Sequence, residues 1–165
     1  MNVTFKRVTT LEQIDSVVQL ANTIWTEHYT SIIGKDQVAY MLSTYHSSHS
    51  IAKEVDKQSI HYYLILKGTK PIGYVSIKLE EKSLFLSKIY ILSKERGYGF
   101  GKQAVSFVKE LATSKQLKKI TLTVNKYNAD SITAYKKMGF QITRELCAEI
   151  GEGYVMDDYE MVLHI

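Results

Sequence analysis

The chain has 165 residues but only one cysteine and one proline, and each scarcity excludes something. With Cys147 alone, neither an internal disulfide nor a cysteine-rich metal site can form, which fits a reducing cytoplasm. Pro71 is the only proline, and long glycine or serine linkers, repeats and low-complexity segments are missing. No domain boundary is visible, so a single domain over residues 1–165 is expected. No stretch approaches the roughly 20 apolar residues of a membrane span, and MNVTFKRVTT lacks the apolar core of a signal peptide. Membrane association is not expected. Blocks of one charge are missing too, because 21 Lys and Arg and 17 Asp and Glu are interspersed to a net charge of +4. That balance gives little reason to expect nucleic acid and suits a compact polyanionic ligand equally well. Neither HExxH nor GxSxG occurs, which leaves metalloprotease and serine-hydrolase chemistry unsupported. No metal site is expected, and the polar run TYHSSHS predicts that His46 and His49 lie in a polar loop.

What is present is organised around Leu84 to Lys102, LFLSKIYILSKERGYGFGK. Leucine, aromatic and β-branched residues from Leu84 to Leu92 predict a strand that stops at the charged triplet Ser93, Lys94, Glu95. Arg96-Gly97-Tyr98-Gly99-Phe100-Gly101 follows, and then Ala104, Val105, Val108, Leu111 and Ala112 recur at helical spacing. A strand that feeds a glycine loop opening a helix is a way to build an anion site. The dinucleotide pattern GxGxxG fails at Lys102, and the phosphate loop GxxxxGK[ST] fails at Arg96 and Gln103. What remains is RxxGxG, from Arg96 through Gly99 to Gly101. Within the strand, Leu84 and Leu86 share one face whereas Ile89 and Ile91 form the later aliphatic pair, a change of parity that predicts a β-bulge near Ser87 and Lys88.

The rest of the chain supplies partners. Val3 to Val8 predicts a first strand. Thr10 can cap a helix whose Ile14, Val17, Val18, Ala21, Ile24, Trp25 and His28 share a face up to the break at Gly34. One or two helical pieces are expected between Asp36 and Asp56. Ile60–Leu66 and Ile72–Leu79 predict a hairpin around Gly68-Thr69-Lys70-Pro71, and Lys119–Val124 alternates as a strand parallel to the central one. Asn128 or Asp130 can cap a short helix carrying Ile132, Tyr135 and Met138, stopped by Gly139. Gln141–Ile150 and Tyr154–Leu163 predict a closing hairpin.

Asn128, Ala129, Ser131, Ala134, Tyr135, Gly139 and Phe140 follow the RxxGxG loop in the order of a second signature, roughly NxxAxxxYxxxGF. Together the two motifs resemble the GCN5-related N-acetyltransferase (GNAT) family, and the likeness extends over essentially the whole chain. It implies an α/β (α+β) fold: a mixed, mostly antiparallel twisted sheet with a bulged central strand and helices on both faces. It also implies an acetyl-CoA-dependent N-acetyltransferase. The pyrophosphate would meet the amides from Gly97 to Lys102, through Tyr98, Gly99, Phe100 and Gly101, with charge from Arg96 and Lys102. The pantetheine arm would pair with backbone at Ile89, Tyr90 and Ile91, a backbone amide near Ile89 or Tyr90 would hold the oxyanion, Asn128 would bond the cofactor, and Tyr135 would be the general acid.

The acceptor is less legible. The resemblance to a bacterial subgroup that includes polyamine acetyltransferases makes Glu27, His28, Asp157 and Asp158 candidate substrate residues. Glu160 joins them as a candidate base. A small-molecule amine is the expected partner of a monomer or homodimer. A non-catalytic acyl-CoA-binding module and a protein N-terminal acetyltransferase stay open as alternatives.

Overall fold

Seven strands form one mixed sheet in the computed structural model, which describes residues 2–165 apart from the Lys88 side chain. In chain order the elements are β1 (Thr4–Arg7), α1 (Leu11–Ile33), α2 (Lys35–Tyr45), α3 (Ser48–Lys57), β2 (His61–Lys67), β3 (Lys70–Leu79) and β4 (Leu84–Ile91). A short 3-10 turn (Ser93–Glu95) leads to α4 (Phe100–Ser114), β5 (Lys119–Asn125), α5 (Ala129–Lys137), β6 (Gln141–Gly151) and β7 (Tyr154–His164). The strand order is β1-β2-β3-β4-β5-β7-β6, and every neighbouring pair is antiparallel except β4 with β5. The expected mixed, mostly antiparallel sheet is thus observed.

Each face of the sheet carries its own core. One holds Ile65, Val75, Leu86, Ala104, Val108, Leu122 and Phe140 beneath α4 and α5; the other joins Ile14, Val17, Ile24 and Trp25 of α1 to Tyr62, Leu64 and Tyr74 of the sheet. Thr10 starts α1 through a capping box with Gln13, whose side chain returns to the Thr10 backbone amide. Asn128, not Asp130, caps α5, accepting a hydrogen bond from the Ser131 amide at 3.4 Å. The expectation of a polar loop around His46 and His49 is corrected, and His49 stands exposed on α3. His46 does not lie in a polar loop: it ends α2, is buried, stacks on Trp25 at 5.4 Å and shares a 3.0 Å hydrogen bond with the Tyr74 hydroxyl. Tyr74 in turn accepts from Trp25 Nε1 at 3.1 Å. The surrounding serines disguised a histidine whose partners are distant in sequence.

The feature that positions the site is the middle of the sheet. The β3–β4 register advances from Ser76 opposite Lys88 to Ile77 opposite Leu86, which leaves Ser87 as the extra residue of a bulge at the expected place. On the other side, β4 pairs with β5 only at Leu84 and Phe85, opposite Ile120 and Thr121. Past the bulge β5 stays paired with β7 but no longer with β4, and a wedge opens between β4 and β5.

Candidate functional site

The wedge leads into a cleft of about 600 Å³ that crosses the sheet from the glycine loop to α1, α2 and β7. Its wall along β4 is backbone. The Leu92 amide donates to the Ile72 carbonyl at 2.9 Å, so alternation turns the amides of Lys88 and Tyr90 towards β3 as well. The amides of Ile89 and Ile91 then point into the wedge, as does the Ile89 carbonyl. The Ile91 carbonyl accepts from Arg96 Nε at 3.2 Å. This sharpens the sequence-based expectation: Ile89 and Ile91 offer backbone to the cleft, whereas the Tyr90 amide belongs to the β3 ladder and cannot serve as the oxyanion donor. Tyr90 contributes its hydroxyl instead.

The glycine loop closes one end. Gly97 and Gly99 have φ of 85° and 80°, a left-handed conformation that favours glycine, and no side chain caps the first turn of α4. The free amides of that turn face the cleft with Arg96, Phe100, Gly101 and Lys102 among its lining residues. Tyr98 does not line it; its side chain is 67% exposed. Behind the loop the buried Glu95 is ion-paired with Lys67 at 3.0 Å, which ties the end of the loop to β2.

Three tyrosines meet midway along the cleft. Tyr29 and Tyr90 share a hydrogen bond of 2.9 Å between hydroxyls, and Tyr135 of α5 packs on Phe140 with its ring centroid 5.4 Å away. Burial raises all three phenols above their ordinary range, and the neighbouring Tyr29 raises Tyr135 further, so each stays protonated at neutral pH. A protonated phenol in a cleft can donate to a developing anion. Asn128 is buried beside His28 and Tyr29, and burial followed by the Arg96 charge lowers His28, leaving it neutral at pH 7.

The acidic candidates separate. Asp158 lines the cleft, is 8% exposed, and its Oδ1 has no hydrogen-bond partner. Burial, then the charge of Asp157, raises its carboxyl to about 6. Asp157, pointing the other way, binds Lys126 at 2.8 Å. Glu160 accepts from Arg144 at 2.9 Å and from Thr143 at 2.7 Å, and Glu27 accepts from Ser93 Oγ at 3.0 Å in a separate groove. Of the substrate candidates, His28 and Asp158 therefore line the cleft, and Glu27 and Asp157 do not. Sequence reasoning missed Tyr29, although its place one helical turn after Trp25 on α1 was a usable signal. Among the described residues no group of three or more His, Cys, Asp or Glu could hold a metal ion, and no helix is long and apolar enough to cross a membrane.

Comparison with known proteins agrees with this architecture. The family model described as "Acetyltransferase (GNAT) family" matches residues 17–140. Among solved structures, a PaiA N-acetyltransferase from Thermoplasma acidophilum in complex with coenzyme A superposes with a TM-score of 0.84 at 16% identity, over 100% of both chains. An acetyltransferase of the GNAT family from Streptococcus pneumoniae gives 0.72 at 22% identity, over 99% of this chain and 100% of that one. A GNAT family acetyltransferase from Elizabethkingia anophelis with acetyl-CoA bound gives 0.64 at 17% identity, over 99% of each chain.

Proposed function

The chain belongs to the acetyltransferase (GNAT) family, and on that premise we propose that it transfers the acetyl group of acetyl-CoA to a primary amine by direct attack, with Tyr135 as general acid. The observation that carries this reading is the open edge of β4, which runs from the bulge at Ser87 to the uncapped start of α4. An extended amide-bearing arm fits the Ile89 and Ile91 backbone, and a pyrophosphate fits the amides from Gly97 to Lys102. A helix terminus contributes only about 0.3–1 kcal/mol, whereas micromolar binding needs about 8 kcal/mol. Pairing along β4 therefore has to supply a large share. Coenzyme A or acetyl-CoA bound to two structurally similar proteins supports acetyl-CoA as the cosubstrate.

In the transfer, the acceptor nitrogen attacks the acyl carbon while the Ile89 amide, turned into the wedge, is placed to hold the carbonyl oxygen. The C–S bond breaks, and the leaving thiolate takes the Tyr135 proton. Asn128, buried between His28 and the start of α5, is placed to bond the cofactor as well as to cap the helix. The polyamine suggested by the subgroup resemblance finds less support, because Glu27 and Asp157 stand outside the cleft.

A panel of primary amines incubated with acetyl-CoA, followed by free-thiol release and product mass, tests the activity. Stoichiometric thiol release and a mass gain of one acetyl group on an amine are expected. Tight acetyl-CoA binding without transfer to any amine would point to an acyl-CoA-binding module instead. Transfer confined to peptide N-termini would point to a protein N-terminal acetyltransferase.

A further inference from the structure

Three carboxylates line the cleft, and only one lacks a structural explanation. Glu95 is ion-paired with Lys67, and Asp130 lies exposed in the first turn of α5. Asp158 lines the cleft, is more than nine-tenths buried, and its enclosed Oδ1 has no hydrogen-bond partner. Lys126, whose charge acts on it, is committed to Asp157 at 2.8 Å and Glu145 at 3.7 Å. An ionised carboxylate in such a place calls for a cationic partner.

The walls around it are of another kind. Trp25, Tyr29 and Ile33 recur at four-residue intervals along α1, Met41 faces in from α2, and Met156 lies two residues before Asp158 on the same face of β7. Among the described residues, the lysine and arginine of the lining, Lys102 and Arg96, belong to the glycine loop, and His28 is neutral. A second ammonium on the acceptor would be desolvated against apolar walls, and a carboxylate on it would be repelled by Asp158.

On the premise that the chain is an amine acetyltransferase, we infer that Asp158 anchors the acceptor's ammonium and takes its proton, and that the acceptor is a singly charged primary amine on an apolar or aromatic body. The ammonium gives one proton to the Asp158 carboxylate, and its freed lone pair forms the C–N bond as the C–S bond breaks. Tyr135 protonates the thiolate and recovers a proton from the nitrogen, so amide, thiol and one proton on Asp158 result. That proton then leaves to solvent. The charged and titratable groups that act with Asp158 are Tyr29 from α1, Lys126 beyond β5 and Asp157 beside it, while His28 and Tyr90 line the same cleft. With these surroundings kcat/KM should fall as pH drops through about 6. Because folding raises this carboxyl from 3.8 to about 6, the folded protein binds its proton more tightly than the unfolded chain. Ionised Asp158 therefore lowers stability above pH 6, and the penalty disappears as pH falls towards 4.

The test compares 2-phenylethylamine, spermidine and phenylalanine with the wild-type protein and Asp158→Asn. For the wild type, kcat/KM should favour 2-phenylethylamine over the other two by at least tenfold. Titration calorimetry of 2-phenylethylamine into protein saturated with coenzyme A should show binding at least tenfold weaker in the variant, with acetyl-CoA affinity unchanged. The variant should also melt higher than wild type at pH 7.5 and lose that advantage near pH 4, whereas removing a merely structural carboxylate would lower its melting point. Preference for spermidine, or equal amine binding by the two proteins, overturns the inference. Amine binding that depends on Asp158 without turnover overturns the acetyltransferase reading alone.

Discussion

Replacing Tyr135 by phenylalanine should lower kcat by about 10²–10⁴, the usual contribution of a group that transfers a proton in the rate-limiting step. The substitution removes one oxygen and keeps the ring that packs on Phe140 at 5.4 Å, so the melting temperature should barely move. Acetyl-CoA affinity should stay within about threefold, because the proposed binding contacts are made by the β4 backbone and the glycine loop and not by this oxygen. Tyr29→Phe is the natural control. It deletes the 2.9 Å bond to the Tyr90 hydroxyl and leaves Tyr135 in place, so its effect on kcat should be much smaller. Steady-state rates with saturating amine and acetyl-CoA decide the matter. If the Tyr135 variant turns over like wild type, the thiolate finds its proton elsewhere.

Gly73→Ala should be the most damaging single methyl addition in the sheet. Gly73 pairs with Ile91 across β3 and β4, and a Cβ there would overlap the Tyr90 carbonyl oxygen and stand 3.1 Å from Ile91 Cα. Both obstacles are backbone, so no side chain can move aside. Overpacking of this kind costs about 1–3 kcal/mol, which for a chain of this size lowers the melting temperature by roughly 2–12 °C. The strand that must yield is β4, whose Ile89 and Ile91 face the cleft, so acetyl-CoA affinity should fall by about tenfold or more along with the stability. Thermal melts and titration calorimetry of the same preparation measure both. A variant as stable as wild type would mean that the two strands separate at this point more easily than their register suggests.

Much of this site was legible because it is local. The strand from Leu84, the glycine loop, the parity change at Ser87 and the signature from Asn128 to Phe140 are short-range patterns, and the parallel β4–β5 pair follows from the helix between them. What was not legible depends on contacts across the fold. His46 lies among serines and threonines, yet it is enclosed by Trp25, Tyr62 and Tyr74. The hydroxyl pair of Tyr29 and Tyr90 joins residues 61 apart in sequence. Asp157 and Asp158 look equivalent as letters, but neighbours on a strand point to opposite faces, and period-two reasoning alone would have shown that only one could enter the cleft. Gly73 gave a signal of its own: a lone glycine inside an apolar strand marks close backbone approach.

The brief pairing of β4 with β5 also bears on motion. Two half-sheets, β1 to β4 and β5 to β6, are joined along their shared edge at Leu84 and Phe85 alone, with α4 packed beneath both. A molecule lodged in the wedge would act as a strut between two plates hinged at one end, and its affinity would reappear as rigidity. At 100 times Kd, such a ligand adds about 2.7 kcal/mol to the folded state. Its imprint on amide exchange should alternate along β4: coenzyme A should slow Ile89 and Ile91, which face the wedge, far more than Tyr90, already held by β3.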